Sequence, residues 1–505
     1  MLERYLKKIL QARVYDVAVE SPIHEAPLIS RRINNRVLLK REDLQPVFSF
    51  KCRGAYNKMA HLPREELERG VICASAGNHA QGIALGASHL GIRAVIVMPR
   101  TTPEIKVKSV RERGGKVVLH GDSFDEALAH ALQLQKKDGL TFIHPYDDVD
   151  VIAGQGTVAM EILRQHTGPL DAVFVPVGGG GLAAGMAAYL RYVRPDVKII
   201  AVEPEDAACL KAAMEKKRRV SLSEVGLFAD GAAVRQIGKE TFKVLRKTVD
   251  EVVTCSTDEI CAAIKDSFED TRAITEPAGA LALAGLKKWA AQHQVEGQTL
   301  LAVQSGANVN FDRLRHISER AELGEQREAI LAVTIPEKPG SFRAFCQALG
   351  KRGITEFNYR YSDRDQANIF VGIQTRPGGD DLPPLVAQLR DKGYAVTDMT
   401  GNEMAKLHIR HMVGGHTSRR DLDEMLFRVE FPERPGALMK FLLALGGRWN
   451  ISLFHYRNHG AAYGRVLVGF QVPPQQHGRL RADLKQIPYP MVEESDNPAY
   501  RLFLD

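Results

Sequence analysis

No stretch of the 505-residue chain approaches the ~20 uninterrupted apolar residues of a membrane-spanning helix, so the sequence offers no transmembrane segment. The opening stretch MLERYLKKILQAR carries charges through any apolar core that a signal peptide would need, so a cytoplasmic location is expected. Cysteine is sparse and scattered: Cys52, Cys73, Cys209, Cys255, Cys261 and Cys346 include no Cys-x-x-Cys pair. A zinc or disulfide framework is therefore not expected. Charge of one sign is also lacking. The 68 basic residues barely outnumber the 61 acidic ones, giving a net +7, and no basic run is longer than Lys216-Lys217-Arg218-Arg219. Such a run suits a solvated helix end, and a nucleic-acid partner is not expected. What remains is ordinary globular composition, 44% apolar and 26% charged. At ~150 residues per domain, the length suggests about three domains.

Residues 1–322 alternate between short β-branched runs and longer amphipathic stretches. The runs include Val37–Lys40, Ala94–Met98, Lys116–Leu119, Ala172–Val175, Lys198–Val202 and Leu300–Val303; the stretches include Glu104–Arg113 and Ser123–Lys137. That alternation predicts an α/β domain with a mostly parallel sheet, whose ligand site lies beyond the C-terminal ends of the strands. After the polar stretch Arg320–Glu328 the texture changes to an internal repeat. Pro-Glu-Lys-Pro-Gly (336–340) and Pro-Glu-Arg-Pro-Gly (432–436) stand 96 residues apart. Each is followed by a helical stretch, Phe342–Lys351 or Leu438–Arg448, and by a matching strand, Thr355–Arg360 or Ser452–Arg457. Each copy predicts a β-α-β-β-α-β module of the ferredoxin-like class. The expected domains are thus 1–322, 328–400 and 422–505.

The strongest local signal is the apolar run Ala172–Val177 entering Gly178-Gly179-Gly180-Gly181-Leu182 and then a helix-forming stretch. Consecutive glycines let backbone N–H groups approach a phosphate, and a helix N-terminus favours the negative charge. No Gly-Lys-Ser/Thr follows, which disfavours a P-loop. A dinucleotide reading stays open at this point: Gly179-x-Gly181-x-x-Ala184 fits a loose fingerprint, and Glu203 could hold a ribose. Three further segments weigh against it. Lys51, in Ser49-Phe50-Lys51-Cys52-Arg53-Gly54, could form a Schiff base if desolvated. Ser75-Ala76-Gly77-Asn78-His79 is a small-residue turn into a helix whose N–H groups could take a carboxylate, with Ser75 or Asn78 as a conventional cap otherwise. Gln304-Ser305-Gly306-Ala307-Asn308 ends a strand with a small hydroxyl. A phosphate cradle, a Schiff-base lysine, a carboxylate-binding turn and a strand-end hydroxyl together suit pyridoxal 5′-phosphate.

In that order, SFKCRGA, ASAGNHAQG, VGGGGLAAG and QSGAN resemble the four signature segments of the fold type II pyridoxal-phosphate enzymes, the threonine/serine dehydratase group. The resemblance covers residues 1–322. It implies that Lys51 carries the cofactor, with Phe50 beside it, and that Asn78 meets the ring hydroxyl. It implies that Gly178, Gly179, Gly180, Gly181 and Leu182 hold the phosphate and that Ser305 faces the ring nitrogen. Ser75, Gly77 and Asn78 are then expected to bind the substrate carboxylate. There are departures: Ala26-Pro27-Leu28 stands where relatives have Thr-Pro-Leu, and Cys209 stands where some have a second acid near Glu203, so no metal site is expected. Glu276, in Glu276-Pro-Ala-Gly279, resembles the residue lining the ring in this group, with no role assigned.

The two tandem modules narrow the resemblance to the biosynthetic threonine deaminases, fold type II domains followed by two ACT-like regulatory domains. That implies deamination of L-threonine, and of serine to an extent the sequence leaves open, to the 2-oxo acid and ammonia. It also implies inhibition by isoleucine, relief by valine and a homotetramer. The aromatics at 357–359 and 454–456 are candidate effector contacts, with plain core packing as the alternative. Rival readings are another serine/threonine dehydratase or racemase, an inert amino-acid sensor and a dinucleotide oxidoreductase.

Overall fold

The computed structural model describes every residue up to 325 except 103 and 312. Beyond 325 it describes all but 326, 337, 339, 351, 361–365, 377–378, 403–404, 407–408, 412–422, 433–438, 440, 444–447, 458–462, 488, 490 and 498–505. The chain forms two compact units, Met1–Gly324 and Glu325–Asp505.

In the first unit a six-stranded sheet runs in the order Ile23–Glu25, Arg36–Arg41, Thr299–Gln304, Ala172–Pro176, Lys198–Pro204, Glu251–Cys255. All neighbours are parallel except the short edge strand Ile23–Glu25. Alternate residues of one strand serve opposite cores. Val173 and Val175 pack under helices Val149–Gln165 and Gly181–Val193, whereas Ala172 and Phe174 pack under Thr257–Thr271 and Pro277–His293. A strand buried on both faces must be apolar throughout, which is why these runs read as continuous rather than alternating. A smaller parallel sheet orders Lys116–Leu119, Ala94–Met98, Val71–Ala74 and Thr141–Phe142.

The predicted strands are all present. The strands Val71–Ala74, Thr141–Phe142 and Glu251–Cys255 were not among those read from the sequence. They are short, and the first ends directly in the Ser-Ala-Gly turn that drew attention for its chemistry. The predicted helix from Ser123 begins at Phe124 with Ser123 as its cap, its hydroxyl accepting from the Glu126 amide.

The second unit is one eight-stranded antiparallel sheet. Its order is Ala395–Asp398, Glu328–Pro336, Gln366–Gln374, Ile354–Arg360, Asn450–Arg457, Tyr463–Val472, Asp423–Pro432, Met491–Glu493. Each half has the strand order of a ferredoxin-like module, and the halves join edge to edge where Phe357 faces Tyr456 and Tyr359 faces Phe454. The sequence suggested two modules; the structure shows a single continuous sheet over one shared core. Phe357, Tyr359, Phe454 and Tyr456 are all buried in that core along the seam. The first Pro-Gly turn places Gly340 at φ +91° to launch helix Ser341–Leu349. The second turn, at 433–436, and most of the helix expected over 438–448 lie outside the described residues.

Candidate active site

Three of the four signature segments follow the C-terminal ends of strands, as an open parallel sheet requires of its ligand site. Gly178–Gly181 follows Ala172–Pro176, Ser305 follows Thr299–Gln304, and Ser75 follows Val71–Ala74. One cleft is lined by Phe50, Lys51, Gly178–Leu182 and Ser305. Pro145, Tyr146, Gln155, Pro176, Gly231, Ala232 and Ala278 complete its wall.

Lys51 opens helix Lys51–Ala60. Its amine lies 3.4 Å from the Pro145 carbonyl and 5.3 Å from the centre of the Phe50 ring. Loss of water around that amine pulls its pKa down to about 8, against a smaller opposing pull from Glu276. The loop that presents it is fastened to the serine loop by backbone bonds. Phe50 N–H donates to the Ser305 carbonyl at 3.3 Å, and Ala307 N–H donates to Phe48 at 2.9 Å. The Ser305 side chain is buried and donates to the Ala278 carbonyl at 3.1 Å.

The glycine loop is closed by steric necessity. A Cβ on Gly179 would come within 2.2 Å of the Tyr146 ring, and one on Gly178 would sit 2.9 Å from the Ala232 backbone. Gly180 takes φ +90° as the cap of helix Gly181–Val193, a conformation that favours glycine. The Gly179 carbonyl is held by the Thr241 hydroxyl at 2.8 Å. The glycine N–H groups lead into the N-terminus of a 13-residue helix, an arrangement that can cradle an anion.

Asn78, Ser75 and Gly77 stand at the start of helix Asn78–Leu90 and do not line that cleft. The sequence offered Ser75 or Asn78 as the cap. The cap is Gly77, with no side-chain bond, and Ser75 accepts locally from the Gly77 amide at 3.3 Å. The Asn78 side chain instead donates to Glu276 at 2.6 Å and accepts from Asn308 at 2.6 Å. Burial, with Asp230 nearby, raises the Glu276 pKa to about 7. Glu203, the candidate ribose acid of the dinucleotide reading, is fully buried and accepts the Leu210 and Lys211 amides at 2.7 and 2.8 Å. It caps the following helix and has no open face for a ribose.

Sequence reasoning missed Tyr146, Ala232, Ala278 and Asn308. Tyr146 and Ala232 touch the glycine loop from distant segments, so local pattern carries no sign of them. Asn308 lay within the quoted Gln-Ser-Gly-Ala-Asn segment, where its partner Asn78 is 230 residues away.

Behind the lysine helix lies a fully buried charge cluster. Arg53 bridges Glu42 at 2.8 Å and Glu161 at 2.5 Å, and Lys40 meets Glu161 at 2.7 Å. Two cations and two carboxylates balance there. Among the described residues no helix is long and apolar enough to cross a membrane.

Comparison with known proteins follows the same lines. A family model of pyridoxal-phosphate-dependent enzymes matches residues 15–306. One of the C-terminal regulatory domain of threonine dehydratase matches 319–409 and again 416–504. The biosynthetic L-threonine dehydratase of Burkholderia multivorans is 58% identical over 99% of both chains. That of Escherichia coli is 53% identical over 99% of this chain and 97% of its own. The solved structure of the processed form of threonine deaminase isoform 2 from Solanum lycopersicum superposes with a TM-score of 0.62. It is 49% identical and covers 63% of this chain and 93% of its own.

The residues present fit pyridoxal phosphate: an amine of lowered pKa, an anion cradle that tolerates no Cβ and a buried hydroxyl face one cleft.

Proposed function

This chain belongs to the pyridoxal-phosphate-dependent threonine dehydratases, and from that premise we propose how its residues divide the deamination of L-threonine to 2-oxobutanoate and ammonia. The observation that carries the reading is the meeting of Lys51, the glycine cradle and Ser305 on one cleft. Pyridoxal phosphate, when bound, supplies an aldehyde that captures amines and a conjugated ring that withdraws electrons from the substrate α-carbon.

The chain's residues do the rest. Lys51 Nζ would hold the cofactor, and its neutral amine is the base placed to take the substrate's α-proton. A pKa of about 8 leaves roughly a tenth of that amine neutral at pH 7, against about one part in 2,500 for an ordinary lysine. Phe50 packs beside it. The N–H groups of Gly178, Gly179, Gly180, Gly181 and Leu182 would bind the phosphate. Asn78 would donate to the ring hydroxyl oxygen. Ser305 would lie at the ring nitrogen, where an uncharged hydroxyl supplies no carboxylate to hold a proton on that nitrogen. Ser75, Gly77 and Asn78 hold the substrate carboxylate at the start of their helix.

The second unit is the regulatory part in this reading, with isoleucine inhibiting and valine relieving. An effector of this kind needs a coupling of ~1–3 kcal/mol between the two sites. The assembly is a homotetramer on the strength of the family resemblance. All six cysteines are buried and unpaired, which suits the reducing cytoplasm. The test is Lys51→Ala: it loses the visible chromophore and all 2-oxobutanoate production. A variant that still turns over threonine at the wild-type rate overturns the assignment.

A further inference from the structure

Asn78 is held by a chain of hydrogen bonds whose direction is fixed at one end. The Val47 carbonyl can only accept, and Asn308 Nδ2 donates to it at 2.8 Å. The second hydrogen of the same nitrogen goes to Asn78 Oδ1 at 2.6 Å. Asn78's oxygen is thereby taken, and its nitrogen faces Glu276 Oε1 at 2.6 Å. An amide nitrogen carries two hydrogens, so one N–H of Asn78 is left to point elsewhere. Amide orientation is ambiguous when an asparagine has a single partner; a carbonyl at one end and a carboxyl at the other remove the ambiguity.

Glu276 is placed for this task at some cost to its own helix. It is the N-cap of Pro277–His293, yet its side chain makes no capping bond. Its backbone is pinned instead, with its N–H donating to Gly306 at 3.1 Å. A Cβ on Gly306 would come within 2.5 Å of Glu276 Oε1, so the glycine after Ser305 leaves room for the carboxyl. Glu276 as a whole is 4% exposed. Asp230, Lys106 and Lys51 are the charged groups that face it.

We propose that Glu276 is a positioning residue for the reaction: acting through Asn78, and with Asn308 as the opposing clamp, it fixes an N–H toward the cofactor's ring oxygen. The inference rests on the function proposed above. It assigns the acceptor, rather than the charge, as the working feature of Glu276.

The test uses the full-length holoenzyme and two variants. Glu276→Gln keeps an oxygen acceptor for Asn78 and removes the charge. Glu276→Ala removes both. The readouts are the pH titration of the visible absorption of bound pyridoxal phosphate, and kcat and KM for threonine. For Glu276→Ala the titration should move by roughly half a pH unit or more, the size of one hydrogen bond. Its kcat should fall about tenfold or more, with KM within about twofold. Glu276→Gln should stay close to wild type in the titration. An alanine variant that titrates as wild type overturns the proposal. So does a glutamine variant displaced as far as alanine, since charge would then be the working feature. A wild-type protein that binds no pyridoxal phosphate overturns the functional reading itself, an outcome distinct from either.

Discussion

The backbone amide of Phe50 donates to the carbonyl of Ser305 at 3.3 Å, so the residue before the lysine and the serine across the cleft share one hydrogen bond. The bond uses main-chain atoms only. Ser305→Ala therefore leaves the lysine loop in place and deletes only the hydroxyl that donates to Ala278. The variant should keep the visible chromophore and lose rate by about tenfold or more, as expected when a group facing the ring is removed. Spectra and kcat on the same sample check this; a fully active variant would remove Ser305 from the ring.

Gly179→Ala should cost cofactor affinity, because the new methyl collides with the Tyr146 ring. The collision names its own remedy. Adding Tyr146→Ala to the same chain should recover part of the affinity, whereas Tyr146→Ala alone should not tighten binding. Titration of the apoprotein with pyridoxal phosphate reads all three.

The lowered pKa of Lys51 sets a pH dependence. A neutral amine attacks an aldehyde; a protonated one does not. With burial holding the pKa at about 8, capture of pyridoxal phosphate by the apoprotein should quicken as pH rises from 7 to 9 and level off above. A rate that keeps climbing toward pH 10.5 would mean an ordinary, solvated lysine.

Arg53→Met leaves the buried Glu42 and Glu161 with Lys40 as the one remaining cation of their cluster. Removing one partner from a buried ionic cluster costs about 3–5 kcal/mol. Denaturant unfolding of the full chain should show that loss in the transition of the first unit. A change below about 1 kcal/mol would mean that the cluster relaxes or hydrates.

The sequence was most legible where chemistry is written in consecutive residues. The glycine loop, the lysine segment and the strand-end serine each lie within a few positions, and the strands that bear the glycine loop and the serine are apolar enough to read directly. The parallel sheet followed from the same runs. The repeat showed two halves by its paired Pro-Gly turns. It could not show that they merge, because the joining contact is between strands Ile354–Arg360 and Asn450–Arg457, almost a hundred residues apart. The aromatics there were open to an effector or a packing reading, since exposed and buried aromatics look alike in sequence. The cap at Gly77 was misread for a related reason. Asn78 is a good capping residue by type, but its side chain is claimed by Glu276 and Asn308 from far along the chain. Tyr146 and Ala232 enter the site only through tertiary packing.

The most direct measurement is a spectrum of the purified full-length protein, followed by L-threonine with and without isoleucine. A yellow protein that forms 2-oxobutanoate and slows when isoleucine is added is the expected outcome. A colourless protein that stays inert after pyridoxal phosphate is supplied would refute the assignment of cofactor and reaction together.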